Sequence, residues 1–299
     1  MNEAELRFDN DVPRAHEKAI IYDIGANNGD DIPYYLKKAD VVVAVEANPD
    51  LCRQMRERFP SEIQQGRLVI ENCVLTSEGQ GETVPFYVHK TVHVRSQFPP
   101  PRHNPDEFER VLLPGKSVSQ LIEEHGYPYY IKIDIEHYDH ILLRSLFKSG
   151  IRPFYLSAES HNIEVFLLLT SLGGYNSFKV VNGSSVANEY CNYPIKTIDG
   201  EEVYSFLPHS AGPFGEDVAG SWTDSAGLFR RLQSEGLGWK DIHAKRDNSG
   251  GQKWQSRIPW LTTYWYYKVK WIPVSVKWVA IKAYRKIKRN LFKKLSDSE

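Results

Sequence analysis

The stretch Tyr22-Asp23-Ile24-Gly25-Ala26-Asn27-Asn28-Gly29-Asp30 decides how this chain folds. It closes an apolar run at residues 19–24 that is continuous rather than alternating, as a strand buried on both faces requires. It opens a helical segment at 30–38, with Pro33 in the first turn, where its missing amide is harmless. Gly25 and Gly29 permit a tight turn in which backbone amides can approach a ligand closely. The start of the helix adds free donors that favour a carboxylate or phosphate. A second apolar run at 41–45 ends in Glu46-Ala47-Asn48-Pro49. A carboxylate at that strand tip can accept both hydroxyls of a ribose.

Working outward, residues 68–70, 129–135 and 154–158 read as further buried strands, and 49–59, 139–147 and 162–172 as helices, with Asp139 and Asn162 as caps. Strands alternating with helices at this spacing predict an α/β fold: Rossmann-like, a mostly parallel doubly wound sheet with helices on both faces. The alternation breaks between Gly79 and Ser119, where residues 83–89 suggest an extra strand and 98–105 a proline-rich loop. Residues 182–253, rich in Gly, Ser, Pro and aromatics, predict a loop-rich insertion packed over one end of the sheet. The expected organisation is a polar N-terminal extension (1–18), a Rossmann-like domain (19–253) and a C-terminal tail (258–299).

The dinucleotide fingerprint GxGxxG is absent. The pattern is DxGxNxG followed by a strand-tip Glu, which is similar to the S-adenosylmethionine loop of class I methyltransferases. Ile131-Lys132-Ile133-Asp134-Ile135-Glu136-His137-Tyr138-Asp139 resembles the KIDVEGxE signature of FkbM-type methyltransferases, as do YDIGANNGDD at its start and VEANP at 45–49. Residues 117–124 resemble the stretch those proteins carry before their fourth strand. The likeness covers about 19–161. His137 stands where the family usually has glycine, and Asp139 where it usually has glutamate. The segment from Gly212-Pro-Phe-Gly-Glu-Asp to Gly238-Trp-Lys-Asp-Ile-His is similar to an extension of members linked to bacterial polysaccharide biosynthesis.

The resemblance implies methyl transfer from S-adenosyl-L-methionine to a hydroxyl, often on a sugar or secondary metabolite. Asp23, Gly25, Asn27 and Gly29 are then expected around the methionine part of the cofactor and Glu46 at the ribose. Asn72, past the third strand, is a candidate for the adenine edge or equally a turn residue. Asp134 is placed near the sulfonium or the acceptor. A hydroxyl that attacks a methylsulfonium must lose its proton, so Glu136, His137, Glu159 and His161 are the candidate bases. Two alternatives stand beside them. Asp134, Glu136 and Glu159 could hold a divalent metal, or positioning alone could supply the rate.

Hydrophobic residues make up 41% of the chain and charged residues 25%, ordinary for a globular protein. The net charge of −1 hides an asymmetry: residues 258–299 carry ten Lys or Arg against Asp297 and Glu299, or +8, leaving −9 on the rest. Cys52, Cys73 and Cys191 form no CxxC pair, which argues against a thiolate zinc site and fits a reducing cytoplasm. Residues 1–18 lack the apolar core of a signal peptide. In the tail, Val274, Trp278, Ile281, Tyr284, Ile287, Leu291 and Leu295 recur at helical steps beside a cationic face. That pattern suits an interfacial helix on an anionic membrane through residues 260–295, or a helix docked on its own domain. A cytoplasmic enzyme, peripheral at the inner face of the membrane, is therefore expected. The acidic body argues against a nucleic-acid partner. The expected substrate is a small-molecule or glycan acceptor. A non-catalytic S-adenosylmethionine-binding membrane module, or a secondary-metabolite methyltransferase, is the alternative.

Overall fold

The computed structural model describes residues 18–77, 83–136 and 138–246. His137, the N-terminal extension and the basic aromatic tail lie outside the described residues. Among those described, no helix is long and apolar enough to cross a membrane.

In chain order the elements are β1 (Ile20–Ile24), α1 (Ile32–Lys38), β2 (Val41–Val45), α2 (Pro49–Arg58), α3 (Pro60–Gln64), β3 (Leu68–Glu71), β4 (Val74–Thr76), β5 (Thr83–His89) and β6 (Phe108–Ser117). There follow α4 (Val118–His125), β7 (Tyr130–Ile133), α5 (Asp139–Lys148), β8 (Tyr155–Ser160), α6 (Ile163–Leu167), β9 (Ser177–Asn182), α7 (Val186–Glu189), β10 (Tyr193–Thr197), β11 (Gly200–Tyr204), α8 (Ser225–Glu235) and β12 (Gly238–Lys245).

Seven strands form the central sheet in the order β3-β2-β1-β7-β8-β12-β9. Its pairings from β3 to β8 are parallel, and β12 runs antiparallel to both neighbours. All five side chains of β1 are buried, as its unbroken apolar run predicts. Alternate residues feed two cores: Tyr22, Ile131, Leu156 and Ile242 pack with α4, α5 and α8, while Ile21, Tyr130, Tyr155 and Val181 pack with α1 and the segment around Phe214. Ser117 caps α4 in a reciprocal box with Gln120. Strands β4, β6 and β5 form a separate small sheet with its own apolar cluster of Val74, Val84, Phe86 and Leu113.

Three expectations need correction. The region 182–253 is more ordered than its composition suggests. Up to residue 246 it holds α7, the β10–β11 hairpin, α8 and β12, an interior strand of the sheet. Residues 162–172 divide into α6, capped by Asn162, and a π-helical turn at Leu168–Leu172. Tyr138 occupies the cap position of α5, and Asp139 instead accepts the Ile135 amide at 3.1 Å.

Candidate active site

The residues singled out in the sequence lie beyond the carboxyl ends of β1, β2, β7 and β8, where the strand order reverses direction. The chain leaving β1 leans over β2, because the Gly25 and Ala26 amides both donate to the Val45 carbonyl, at 2.9 and 3.0 Å. Gly25 has φ +83°, and a Cβ there would fall 1.8 Å from the Asp134 carbonyl oxygen. Glycine alone lets the β1 and β7 loops meet this closely. Asn27, itself left-handed at φ 50°, donates its amide to Glu46 Oε2 at 2.9 Å, and the Asn48 amide donates to Oε1 at 2.7 Å. Burial pushes the Glu46 carboxyl up to about 7 against the pull of those two amides. Asn72 braces the same loop: its side-chain amide donates to the Glu46 and Ala47 carbonyls, each at 3.0 Å. This is the turn-stabilising role, with the amide nitrogen already committed.

Below this loop sits a fully buried cation. Lys132 Nζ donates to the Gly25 carbonyl at 2.8 Å and lies 3.3 Å from Asp23 Oδ1 and 3.5 Å from Asp134 Oδ2. Burial alone would lower its pKa, but the surrounding carboxylates of Asp23, Asp134, Asp31 and Asp241 hold it well above the ordinary range. Asp23 is sealed from solvent, and its contact with Lys132 is an ion pair rather than a well-formed hydrogen bond. Asp31, at the start of α1, accepts from the Ser210 hydroxyl and the Ala211 amide. Burial and the nearby Asp23 raise its carboxyl to about 6.

On the far side of Asp134 the strand register builds an acidic row. Ile133 pairs with Ala158, so Asp134 follows in line with Glu159, and Glu159 pairs with Asp241 on β12. Glu159 Oε2 lies 2.8 Å from His161 Nε2. Burial, reinforced by Asp134, Asp241, Asp139 and Glu136, lifts the Glu159 carboxyl to about 10. Glu136 is left-handed at φ 45°. Burial and Asp134 raise its carboxyl to about 7, and similar forces bring Asp139 to about 7.

The structure therefore brings together Asp23, Gly25, Asn27, Gly29 and Glu46 around one loop, and Asp134, Glu136, Glu159 and His161 along its neighbour. It does not gather Asp134, Glu136 and Glu159 into a metal cage. Among the described residues, the metal-compatible donor group is Glu71, Glu124 and His125, elsewhere on the domain. There Lys116 already bridges the two glutamates, at 3.0 and 2.6 Å. Three site residues carry no role in the sequence reading: Lys132, Asp31 and Asp241. For Lys132 a signal was available, since a lysine inside the apolar run Tyr130-Ile131-Lys132-Ile133 must find a buried partner.

The strand order, with one antiparallel strand inserted beside the last, and a glycine loop facing a strand-tip glutamate define a class I methyltransferase fold. Residues 23–168 match the methyltransferase FkbM domain. This part of the chain is an FkbM-type methyltransferase domain. Among solved structures, the chain is similar to a methyltransferase FkbM from Methylobacillus flagellatus KT at 14% identity and TM-score 0.36, over 55% of this chain and 40% of that one. It is also similar to an O-methyltransferase from Bacillus cereus solved in complex with SAH, at 9% identity and TM-score 0.34, over 77% and 63%. A precorrin 8w decarboxylase from Methanobacterium thermoautotrophicum is 8% identical with TM-score 0.35, over 77% and 82%. No curated protein matches the sequence.

Proposed function

We propose that this protein is an S-adenosylmethionine-dependent O-methyltransferase acting on a hydroxyl, of a sugar in polysaccharide or glycolipid biosynthesis. The observation that carries the cofactor assignment is the Asn27–Glu46–Asn48 clasp. Two backbone amides orient the carboxylate and leave each oxygen a lone pair for a vicinal diol. The buried side-chain oxygen of Asn27 has no hydrogen-bond partner and marks the same loop as shaped for a ligand. The backbone of the Gly25–Gly29 loop would surround the methionine part, with Asp23, sealed beneath it, supporting the loop through Lys132. When bound, S-adenosylmethionine supplies a methyl group on a sulfonium, an electrophile that leaves as a neutral thioether.

The chain's own work is to exclude water, orient the acceptor and take its proton. Glu159 Oε2 lies 2.8 Å from His161 Nε2, and this orients the imidazole as a candidate base for the hydroxyl proton. Glu136 is the second candidate base, because a carboxyl raised to about 7 is matched to neutral pH. The tail at 260–295 would hold the enzyme against anionic lipid, where lipid-linked sugars are made. Flotation with anionic liposomes, with and without residues 260–299, tests this, and failure of the full chain to float ends the membrane reading.

The test of the activity is transfer of label from methyl-labelled S-adenosylmethionine to glycan extracts. Full transfer by Asp134→Ala would overturn the placement of the site. Failure of S-adenosylhomocysteine to accumulate with any extract would favour the non-catalytic binding module.

A further inference from the structure

One exposed aromatic surface beside the candidate site is held in place by several separately unfavourable features. Trp239, second residue of β12, keeps 45% of its surface exposed. The β8–β12 register slips between Gly238 and Asp241, so the strand bulges at Trp239. Bulges of this kind re-aim side chains next to functional sites. On the other side of β12, Lys240 pairs with Asn182, which sets Trp239 opposite Gly183. A Cβ on Gly183 would fall 2.2 Å from Trp239 Nε1, so the indole lies against bare backbone. His209 stacks on the indole, with ring centroids 5.6 Å apart and planes at 14°. His209 is exposed and sits at φ 69°, a conformation rare for any residue but glycine.

The position of the pair is fixed from two directions. The residues after His209 are tied to Asp31, directly behind the cofactor loop, through the Ser210 hydroxyl and the Ala211 amide. The start of β12 is tied to β8 by the Ser160 hydroxyl, which donates to the Gly238 carbonyl at 3.2 Å. Ser160 lies between Glu159 and His161. The aromatic pair therefore borders the candidate site on its β12 side, away from the glutamate clasp.

A bulge re-aims side chains beside functional sites, and a left-handed non-glycine residue such as His209 is a local cost that persists where a site uses it. Folding alone gains little from an indole left nearly half exposed. We infer that Trp239 and His209 form an acceptor subsite that takes the apolar C–H face of a hexopyranose ring and directs one ring hydroxyl toward Glu159 and His161. The surface is one indole and one imidazole wide, the size of a single sugar ring. Its neighbours Lys240 and Asn182 are hydrogen-bonding residues, which suits a neutral polyol better than a purely apolar ligand. This inference rests on the proposed methyltransferase reading.

The probe is a panel of methyl hexopyranosides and methyl 6-deoxyhexopyranosides, followed by saturation-transfer NMR on the full chain. At least one glycoside is expected to show enhancement concentrated on the hydrogens of one ring face. Trp239→Ala should reduce it on the order of fivefold, the worth of one aromatic contact, and Trp239→Phe less. Gly183→Ala, which displaces the indole without deleting it, should reproduce the loss. S-adenosylhomocysteine titration of the same variants serves as the fold control, and its affinity should stay unchanged. Absence of any glycoside signal, equal signal in Trp239→Ala, or a planar phenol such as p-cresol binding with the same dependence would overturn the inference. Failure of S-adenosylhomocysteine to bind wild type would sink the methyltransferase reading instead, while the glycoside signals would still decide the subsite.

Discussion

The Asn27 amide donates to Glu46 at 2.9 Å across the gap between the β1 and β2 loops. The β1 loop and the carboxylate at the tip of β2 are thereby one mechanical unit. Glu46→Ala removes both the diol acceptor and the brace of the Asn27 and Asn48 amides. Loss of one charge-assisted contact of this kind is worth about 1.5–3 kcal/mol, so S-adenosylhomocysteine should bind at least about tenfold more weakly by calorimetry. Glu46→Gln, which keeps one oxygen acceptor, should lie between the two.

Gly25→Ala should be worse than any change confined to ligand contacts. The added methyl meets the Asp134 carbonyl at 1.8 Å, and a φ of +83° already disfavours a side chain. The left-handed backbone alone costs about 1–2 kcal/mol, and separating the β1 and β7 loops adds to that. A thermal melt should show clear destabilisation, with cofactor binding lost at temperatures where the variant is still folded. A melting temperature equal to wild type would contradict the loop contact.

Lys132 offers a test of the buried ion network. Removing one partner of a buried pair destabilises by about 3–5 kcal/mol, because the other charge is left alone. Lys132→Met strands Asp23, which is sealed from solvent, and takes a partner from the more exposed Asp134. The double variant with Asp23→Asn should recover part of that loss, measurable as a coupling energy in denaturant melts. Strict additivity would mean the two residues do not interact.

The legible parts of this fold were those whose burial is written in apolar residues. The run 41–45 is Val41-Val42-Val43-Ala44-Val45 and became β2 residue for residue. The glycine loop was legible because a strand, two glycines and a helix start have few other uses in succession. β12 was hidden because an interior strand normally reads as apolar, whereas here Asp241 and His243 are buried on one face of it. Asp241 pairs with Glu159 in the acidic row and His243 lies opposite Ser157, so periodicity points the wrong way. Asp31 was hidden for a different reason: its partners Ser210 and Ala211 lie about 180 residues along the chain, a contact that no local pattern encodes.

The raised carboxyls make a prediction about pH. Asp31 (about 6), Glu46, Glu136 and Asp139 (about 7) and Glu159 (about 10) all lie above their ordinary values. A carboxyl whose folded pKa exceeds its unfolded one binds its proton more tightly when folded. Its stabilising contribution is thus full below about pH 4 and is lost as pH rises through the folded value. The unliganded protein should therefore melt at lower temperature at pH 8 than at pH 5.5. A bound sulfonium reverses this, since its positive charge favours the ionised carboxylates. S-adenosylmethionine should bind with net proton release near pH 7, visible as a dependence of the calorimetric enthalpy on the buffer's ionisation enthalpy. S-adenosylhomocysteine, with a neutral sulfur, should release fewer protons.

Glu159 and His161 are separable from the rest of the acidic row by kinetics. His161 Nε2 is held by Glu159 at 2.8 Å. If His161 receives the acceptor proton, His161→Gln should lower kcat by about 10²–10⁴-fold, the usual worth of a general base, with KM for the methyl donor little changed. Glu159→Gln should retain more activity than that, because the carboxyl, raised to about 10, is already neutral and the amide oxygen can still accept a hydrogen bond from Nε2–H. Since no charge is removed, the acid limb of the kcat profile should stay in place in Glu159→Gln, and a shift to lower pH would mean that Glu159 is ionised in the working enzyme. If instead His161→Gln kept wild-type kcat and Glu136→Gln lost it, the base would be Glu136, whose carboxyl at about 7 would then set the acid limb directly.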